Sequence, residues 1–330
     1  MDLPALAEID ANRTRLGDMV ATTPVLDWQD EVVERAFGKN SVLHLKLELL
    51  QRTGTFKPRG ALTNMLQLGD AERARGVVAV SAGNHAAGVA YAASLLGIDA
   101  IVVMPKTANP FRQALCRRYG AEVVLTADIA EAFAHVEEFR DREGRSVVHP
   151  FEGKSTVLGT ATVGLELGRQ VGRLDAVVIP IGGGGLCAGI AAAIRHLHPS
   201  CEIFGVEPEG SPVMKRSIEA GRPLALDQRF TIADSLNAPH ATPYTFELCQ
   251  HYLSDIALLS DDTLRTGMAL MFERLKLAVE PAGAAALMAT LGPLAARLQG
   301  RRTAIIVCGS NIDFDSYSLL TANAPLFVQA

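Results

Sequence analysis

Short apolar runs alternate with helical patterns along most of this chain. The runs are rich in Val, Ile, Leu and Ala and have the length of buried strands. They cover residues 42–49, 77–80, 100–104, 122–125, 176–181, 202–206 and 304–307. Helical patterns follow two of them, over residues 86–96 and 190–197. This alternation predicts an α/β fold with parallel sheets.

The composition indicates a globular protein of more than one domain. The chain has 330 residues, of which 48% are apolar, and can bury a substantial core. Its net charge of −5 gives no reason to expect nucleic acid or an anionic membrane as a partner. No apolar run approaches the roughly 20 residues that a membrane span needs, and the start of the chain lacks the apolar core of a signal peptide.

The cysteines indicate a reducing compartment. Cys116, Cys187, Cys201, Cys249 and Cys308 are scattered along the chain and form no C-x-x-C pair. We therefore expect neither a disulfide framework nor a zinc site, and we predict a cytoplasmic protein.

Lys57 is the first candidate for chemistry. It lies after the run 42–49, in the segment RTGTFKPRGA (residues 52–61), between an aromatic ring and a turn punctuated by glycine. That position suits an amine at the mouth of a pocket. Most lysines are solvated, however, and burial must lower the pKa of the amine before it can act as a base or nucleophile.

Two further segments lie where a predicted strand meets a predicted helix. SAGNH, residues 81–85, can direct backbone N–H groups at an anion such as a carboxylate, although Ser and Asn are also ordinary helix caps. The second segment is Gly182, Gly183, Gly184 and Gly185. Four consecutive glycines let the backbone wrap its N–H groups around a phosphate, and the dipole of the next helix adds to the attraction.

The glycine loop has more than one interpretation. Gly183, Gly185 and Ala188 fit the loose dinucleotide fingerprint, with Glu207 placed to hold a ribose hydroxyl, which would make the chain an oxidoreductase. A P-loop is excluded, because Ile190 stands where the phosphate-binding lysine must be.

Four segments in this order resemble the fold-type II pyridoxal-phosphate enzymes. They are TFKPRGA (55–61), SAGNH (81–85), the four glycines and VCGSN (307–311), and VEPAGA (279–284) agrees with them. The closest resemblance is to the serine/threonine dehydratase and serine racemase family, from about Thr23 to Asn311. Ordered motifs are more specific than one glycine loop, so the dinucleotide interpretation becomes the minor one.

The resemblance implies two open parallel-sheet domains, as in the tryptophan synthase β-like fold, with the active site in the cleft. Residues 1–62 and 155–330 would form the large domain that binds the cofactor, and residues 63–154 a small inserted domain. No C-terminal regulatory domain is expected.

The resemblance also implies the site residues. Lys57 would bind pyridoxal 5'-phosphate as a Schiff base and then act as the catalytic base. Phe56 would flank the ring, Asn84 would contact its 3-hydroxyl, and Cys308 would face its nitrogen. The whole cofactor-binding set is Phe56, Lys57, Asn84, Gly182, Gly183, Gly184, Gly185, Leu186, Glu280 and Cys308. The substrate carboxylate would bind at Ser81, Ala82, Gly83, Asn84 and His85.

The expected reaction is elimination of the β-hydroxyl of a hydroxy amino acid, giving a 2-oxo acid and ammonia. The chain would then be an ammonia-lyase, a dehydratase of L-threonine or L-serine. A thiol at Cys308 is a weak hydrogen-bond partner, so the ring nitrogen should stay neutral, which favours elimination over transamination. Racemases of the family carry serine where this chain has Ala82, which cannot deliver a proton; racemase activity should be minor.

The substrate remains open at this stage. A 3-hydroxyaspartate dehydratase or another hydroxy amino acid lyase is an alternative, because residues 232–244 depart from the usual glycine-rich form and could shape a different pocket. His240 or an arginine could then serve a second carboxylate. We expect a homodimer or homotetramer. An inactive binding relative is disfavoured by the presence of Lys57, Asn84 and the intact glycine loop.

Two groups of charged residues have plain interpretations. Glu207 matches one carboxylate of the metal-binding members of the family that the chain resembles, but Val213 stands at the second position, so we predict no metal site. Arg112, Arg117 and Arg118 are predicted to form an exposed helix face.

Overall fold

The computed structural model describes residues 2–39, 41–322 and 324. Within these ranges the chain forms ten strands and fifteen α-helices. The strands are β1 (Val25–Trp28), β2 (Leu43–Lys46), β3 (Val77–Val80), β4 (Ala100–Pro105), β5 (Glu122–Thr126), β6 (Ser146–Val147), β7 (Ala176–Pro180), β8 (Glu202–Pro208), β9 (Asp255–Leu259) and β10 (Thr303–Ile306). The helices are α1 (Leu6–Leu16), α2 (Glu31–Phe37), α3 (Lys57–Leu66), α4 (Asp70–Arg75), α5 (Asn84–Leu96), α6 (Pro110–Arg118), α7 (Ile129–Glu143), α8 (Lys154–Gln170), α9 (Gly185–Leu197), α10 (Val213–Ala220), α11 (Pro243–Tyr252), α12 (Asp261–Leu270), α13 (Pro281–Leu291), α14 (Ala295–Leu298) and α15 (Phe314–Thr321).

The larger sheet has six strands in the order β1-β2-β10-β7-β8-β9. All neighbours are parallel except β1 and β2. Thr303 of β10 pairs with Leu43 on one side and with Ala176 on the other. A strand from near the end of the chain thus lies between strands from its beginning and its middle.

The smaller sheet is parallel throughout, with the order β5-β4-β3-β6. Its central strands are buried on both faces, as parallel strands covered by helices should be. Side chains alternate between the faces with the period of two that a strand imposes. Val77 and Ala79 of β3 pack in the cluster beside α5, and Val78 and Val80 pack in the cluster beside α7.

The α/β architecture with parallel sheets, predicted from the apolar runs, is confirmed. The predicted strand 42–49 is shorter, because the chain turns into a 3-10 helix at Glu48–Leu50. Helices α5 and α9 begin earlier than predicted, at Asn84 and at Gly185, so each starts inside the loop segment singled out in the sequence.

A buried ionic cluster fixes α3, the helix that begins at Lys57. Arg59 donates to Glu48 and Glu166, each at 2.8 Å, and Lys46 donates to Glu166 at 2.9 Å. Each side chain is at most 5% exposed. Charges buried this deeply are stable only when paired and hydrogen-bonded, so the cluster holds the start of α3 in one position.

The two sheets occupy the regions that the resemblance assigns to two domains, and the boundaries at residues 62/63 and 154/155 stay a prediction. Residues 1, 40, 323 and 325–330 of the proposed large domain lie outside the described residues. Among the described helices, none is both long and apolar enough to cross a bilayer.

Candidate active site

A cavity of about 460 Å³ lies between the two sheets. The structure brings all the predicted site residues to its wall, although they come from five separate segments of the chain. These are Phe56, Lys57, Ser81, Ala82, Gly83, Asn84, His85, Gly182, Gly183, Gly184, Gly185, Leu186, Glu280 and Cys308. The loops that follow β3, β7 and β10 all contribute, which is where ligands bind in open parallel sheets.

Lys57 is the first residue of α3 and is enclosed by the cavity wall. Its Nζ donates to the carbonyl oxygen of Pro150 at 2.8 Å and lies 5.1 Å from the centre of the Phe56 ring. Burial lowers the pKa of the amine to about 8, although Cys308 and Glu280 act in the opposite direction. At pH 7 roughly a tenth of the amine is then neutral, far more than for a solvated lysine. Lys57 is therefore prepared to act as a nucleophile or base.

The glycine loop connects β7 to α9. Gly184 has a φ of +92°, a backbone conformation that favours glycine, and a Cβ at Gly183 would overlap the ring of Phe151. The loop therefore requires glycine at both positions. It opens α9, a helix of 13 residues, whose N-terminal dipole and N–H groups suit a phosphate.

Residues 81–85 form the turn after β3 and the first two residues of α5, and their side chains are held by groups from both sides of the cavity. Asn84 Nδ2 donates to both oxygens of Glu280, at 2.7 and 3.0 Å, and its Oδ1 accepts from Asn311 Nδ2 at 2.8 Å. His85 Nε2 lies 2.8 Å from the carbonyl oxygen of Val148, and burial lowers the pKa of His85 to about 3. His85 is thus neutral at physiological pH.

Cys308 and Glu280 close the side of the cavity formed by the larger sheet. Burial raises the pKa of the Cys308 thiol, so it stays protonated and is a weak hydrogen-bond partner. Burial also raises the pKa of Glu280, whereas the charge of Arg112 lowers it. The segment that carries Cys308 is joined to the segment that carries Lys57 by a bridge between Thr55 and Gly309.

The prediction that Arg112 belongs to an exposed helix face is wrong. Arg117 and Arg118 are exposed, but Arg112 is buried and reaches the cavity from α6. Its guanidinium donates to both oxygens of Asp234 and lies 3.5 Å from Glu280. The reason is helical geometry: Arg112 and the buried Cys116 are four residues apart and share the inner face of α6.

Glu207 lies in β8 of the larger sheet, and its carboxylate binds backbone groups of the protein. Its two carboxylate oxygens accept from the backbone N–H groups of Met214 and Lys215, each at 2.8 Å, and burial raises its pKa to about 8. Glu207 thereby holds the start of α10, which favours the plain interpretation over a ribose or metal ligand. Across the described part of the chain, no group of three or more His, Cys, Asp or Glu side chains could hold a metal ion.

Sequence reasoning missed several residues of the cavity wall. His149 and Phe151 follow β6 and flank Lys57 and the glycine loop, and Ile129 and Phe133 of α7 add an apolar surface. Ile129 and Phe133 are 37% and 38% exposed. Their signal is weak, because α7 has the pattern of an ordinary amphipathic helix whose exposed face carries these two apolar side chains.

The residues around the cavity fit pyridoxal phosphate. A lysine amine of lowered pKa, a glycine loop at a helix N-terminus and an aromatic ring beside the amine meet in one space. The model for the family described as "Pyridoxal-phosphate dependent enzyme" matches residues 18–309. The chain belongs to this family.

Relatives of this pyridoxal-phosphate-dependent enzyme include several dehydratases. Phenylserine dehydratase of Ralstonia pickettii is 52% identical over 316 residues, which cover 96% of each chain. The catabolic L-threonine dehydratase TdcB of Escherichia coli K12 is 38% identical over 323 residues, 97% of each chain. Among solved structures, maize serine racemase has a TM-score of 0.90 at 33% identity, covering 96% of each chain.

These findings confirm the predictions of a fold-type II enzyme, of pyridoxal phosphate as its cofactor and of a hydroxy amino acid dehydratase. The family match overturns the dinucleotide-binding alternative. The roles of the individual site residues stay predictions.

Proposed function

We propose that this enzyme dehydrates a 3-hydroxy amino acid that carries an aromatic ring on its β-carbon, of the phenylserine type. The observation that supports this choice is the apolar wall of the cavity. Ile129 and Phe133 come from α7, Pro239 comes from the facing loop, and Phe151 lies beside the glycine loop. A phenyl group that covers exposed apolar side chains gains roughly 25 cal/mol for each Å² removed from water.

The relative at 52% identity points to the same substrate class, because its name is phenylserine dehydratase. A second carboxylate, as in 3-hydroxyaspartate, would require a cation with free donors. Arg112 is paired with Asp234 and Glu280, and Arg229 Nη1 donates to the carbonyl oxygen of Asn237 at 2.8 Å. Arg112 therefore directs its donors at protein groups, and Arg229 has one donor engaged in the same way.

Different residues of this chain would carry out different parts of the elimination. Residues 182–186 would hold the cofactor phosphate, and Lys57 would bind its aldehyde carbon. When bound, pyridoxal phosphate withdraws electrons from the α-carbon of the attached amino acid. The N–H groups of residues 81–85 would orient the substrate carboxylate. The Lys57 amine, released on substrate binding, would accept the α-proton, since its pKa lies near the working pH.

We expect elimination to dominate over racemisation because of Ala82, which lies in the cavity wall. Reprotonation from the other face needs an acid there, and Ala82 supplies only a methyl group at the position where the family racemases have serine. The proton taken from the α-carbon and the β-hydroxyl would together leave as water, and the remaining enamine would tautomerise and hydrolyse to a 2-oxo acid and ammonia.

The first experiment is a substrate comparison with the purified holoenzyme. 3-Phenylserine, L-threonine, L-serine and 3-hydroxyaspartate are supplied in turn, and phenylpyruvate or the corresponding 2-oxo acid is measured together with ammonia. We expect kcat/KM for phenylserine to exceed that for L-threonine by at least about tenfold. Equal values, or a preference for 3-hydroxyaspartate, would contradict the aromatic assignment.

We further propose a cytoplasmic homo-oligomer, a dimer or tetramer. All five cysteines are free and buried, which suits a reducing compartment. Phe314 and Leu319 on α15 are 81% and 76% exposed, and Phe272 nearby is 53% exposed. Several exposed large apolar side chains on and beside one helix are typical of a surface that a second copy covers.

A further inference from the structure

Arg112 crosses the cleft from the small-sheet side to the large-sheet side. It lies on α6, and its partners are Asp234 in the loop before α11, Glu280 at the start of α13, and the carbonyl oxygen of Asn311 after β10. The guanidinium donates to Asn311 from Nη2 at 3.0 Å and from Nε at 3.3 Å. Together with the contacts to Asp234 and Glu280, these hydrogen bonds direct the N–H groups of the planar guanidinium at protein acceptors.

Asn84 crosses the same cleft and shares partners with Arg112. Both side chains donate to the Glu280 carboxylate, and Asn311 contacts both, through its carbonyl oxygen and through its Nδ2. Glu280 is 1% exposed. Its two oxygens accept hydrogen bonds from both side chains, and the adjacent guanidinium favours the ionised form of the carboxylate, against the upward effect of burial on its pKa. Arg112 thus fixes the orientation of the Asn84 amide through Glu280.

The guanidinium also supports the loop of residues 81–85 directly. A Cβ placed at Gly83 would lie 3.2 Å from Arg112 Nη1, so the glycine backbone packs against the flat cation. The same loop presents the N–H groups proposed for the substrate carboxylate.

We propose that Arg112 is a positioning residue that sets the affinity of the enzyme for the amino acid. It holds the loop of residues 81–85 and the Asn84 amide against the large-sheet wall, and it acts through them without touching substrate. This inference rests on the proposed dehydratase site but not on the aromatic substrate, because every amino acid substrate carries the α-carboxylate.

The test uses the holoenzyme and three single variants. Arg112→Met removes the charge, and Arg112→Lys keeps the charge but loses the planar fork. Arg117→Met is the matched control, since Arg117 is exposed on the same helix. Glycine serves as a probe that has the amine and carboxylate but no hydroxyl to lose. Its dissociation constant is measured from the change in cofactor absorbance, and the affinity for pyridoxal phosphate is measured separately.

We expect Arg112→Met to raise the Kd of glycine at least about tenfold and Arg112→Lys about threefold, with cofactor affinity changed less than about threefold. Arg117→Met should match the wild type. KM for the hydroxy amino acid should rise in parallel with the glycine Kd, while kcat changes less. A glycine Kd within about twofold of the wild type in Arg112→Met would overturn the inference. Equal losses of cofactor and glycine affinity would do so too, because they indicate a general structural role.

Asp234→Asn adds a test that does not depend on a buried substitution, because the Asp234 side chain is 55% exposed. If Asp234 acts through Arg112, the double variant Arg112→Met/Asp234→Asn should bind glycine no more weakly than Arg112→Met alone. Additive losses would show independent action and would overturn the network. If glycine affinity falls as expected but none of the hydroxy amino acids is converted, the proposed function fails and the inference on Arg112 stands.

Discussion

Replacing Phe133 by alanine should weaken catalysis on an aromatic substrate more than on L-threonine. Phe133 lies on α7 at the cavity and is 38% exposed. A phenylalanine presents about 200 Å² in all, so about 75 Å² of it remains for a substrate ring to cover. At 25 cal/mol per Å² this area corresponds to about 1.9 kcal/mol, or about a 20-fold change in kcat/KM. The methyl group of threonine covers much less of the same surface.

The assay is the ratio of kcat/KM for phenylserine to that for L-threonine, measured on the same preparation. This ratio cancels changes in folding and in cofactor content, which affect both substrates alike. Phe133→Leu should keep more of the preference than Phe133→Ala. The control is Phe111→Ala, because Phe111 is 45% exposed on the preceding helix α6 and is not among the residues of the cavity wall. An unchanged ratio in Phe133→Ala would refute the aromatic pocket.

Further predictions concern Lys57, Glu166 and Ala82. Lys57→Ala should abolish turnover and the covalent cofactor link, and retained activity would contradict the mechanism. In the wild-type apoprotein, the rate at which pyridoxal phosphate attaches should rise with pH up to about 8 and then level off, since only the neutral Lys57 amine reacts. The rate is measured by stopped-flow absorbance, and a rate that does not change with pH would contradict this prediction. Glu166→Gln should destabilise the protein by about 3 to 5 kcal/mol, because Arg59 loses a buried anionic partner. The control variant Glu138→Gln removes a charge from an exposed ion pair and should lower the free energy of unfolding by less than about 1 kcal/mol. Urea titration of both variants measures these two values. Ala82→Ser should raise the rate of exchange between L and D enantiomers relative to elimination, and chiral chromatography would show whether it does.

Strands could be predicted from the sequence where an apolar run contained no polar residue. Strand β3 has the predicted bounds, because its four apolar residues are buried on both faces and lie between Gly76 and Ser81. The edge strands β1 and β9 were missed. Both contain an aspartate, and their burial is mixed because each has only one neighbouring strand.

The site was predictable in its motifs but not in its supports. Lys57, Asn84 and the glycine loop lie in local segments whose composition is unusual for a solvated surface. Arg112 and Asp234 are 122 positions apart, and only the tertiary fold brings α6 close to the loop before α11 that carries Asp234. Phe133 could not be assigned to the cavity either, because a helical pattern shows that a face exists but not what it faces.

The position of β10 has a consequence for how the enzyme is made in the cell. Its strand neighbours β2 and β7 are synthesised long before it, yet they cannot pair with each other, since β10 lies between them. The larger sheet therefore stays divided into two separate pieces until residues 303–306 have left the ribosome, whereas all strands of the smaller sheet are complete by Val147. Pairing across such long sequence separations is slow, and unpaired strands are prone to aggregate meanwhile. We expect the nascent chain to depend on chaperones until its last strand is inserted, and a chain that stops before Thr303 to lose the middle of its sheet rather than an edge.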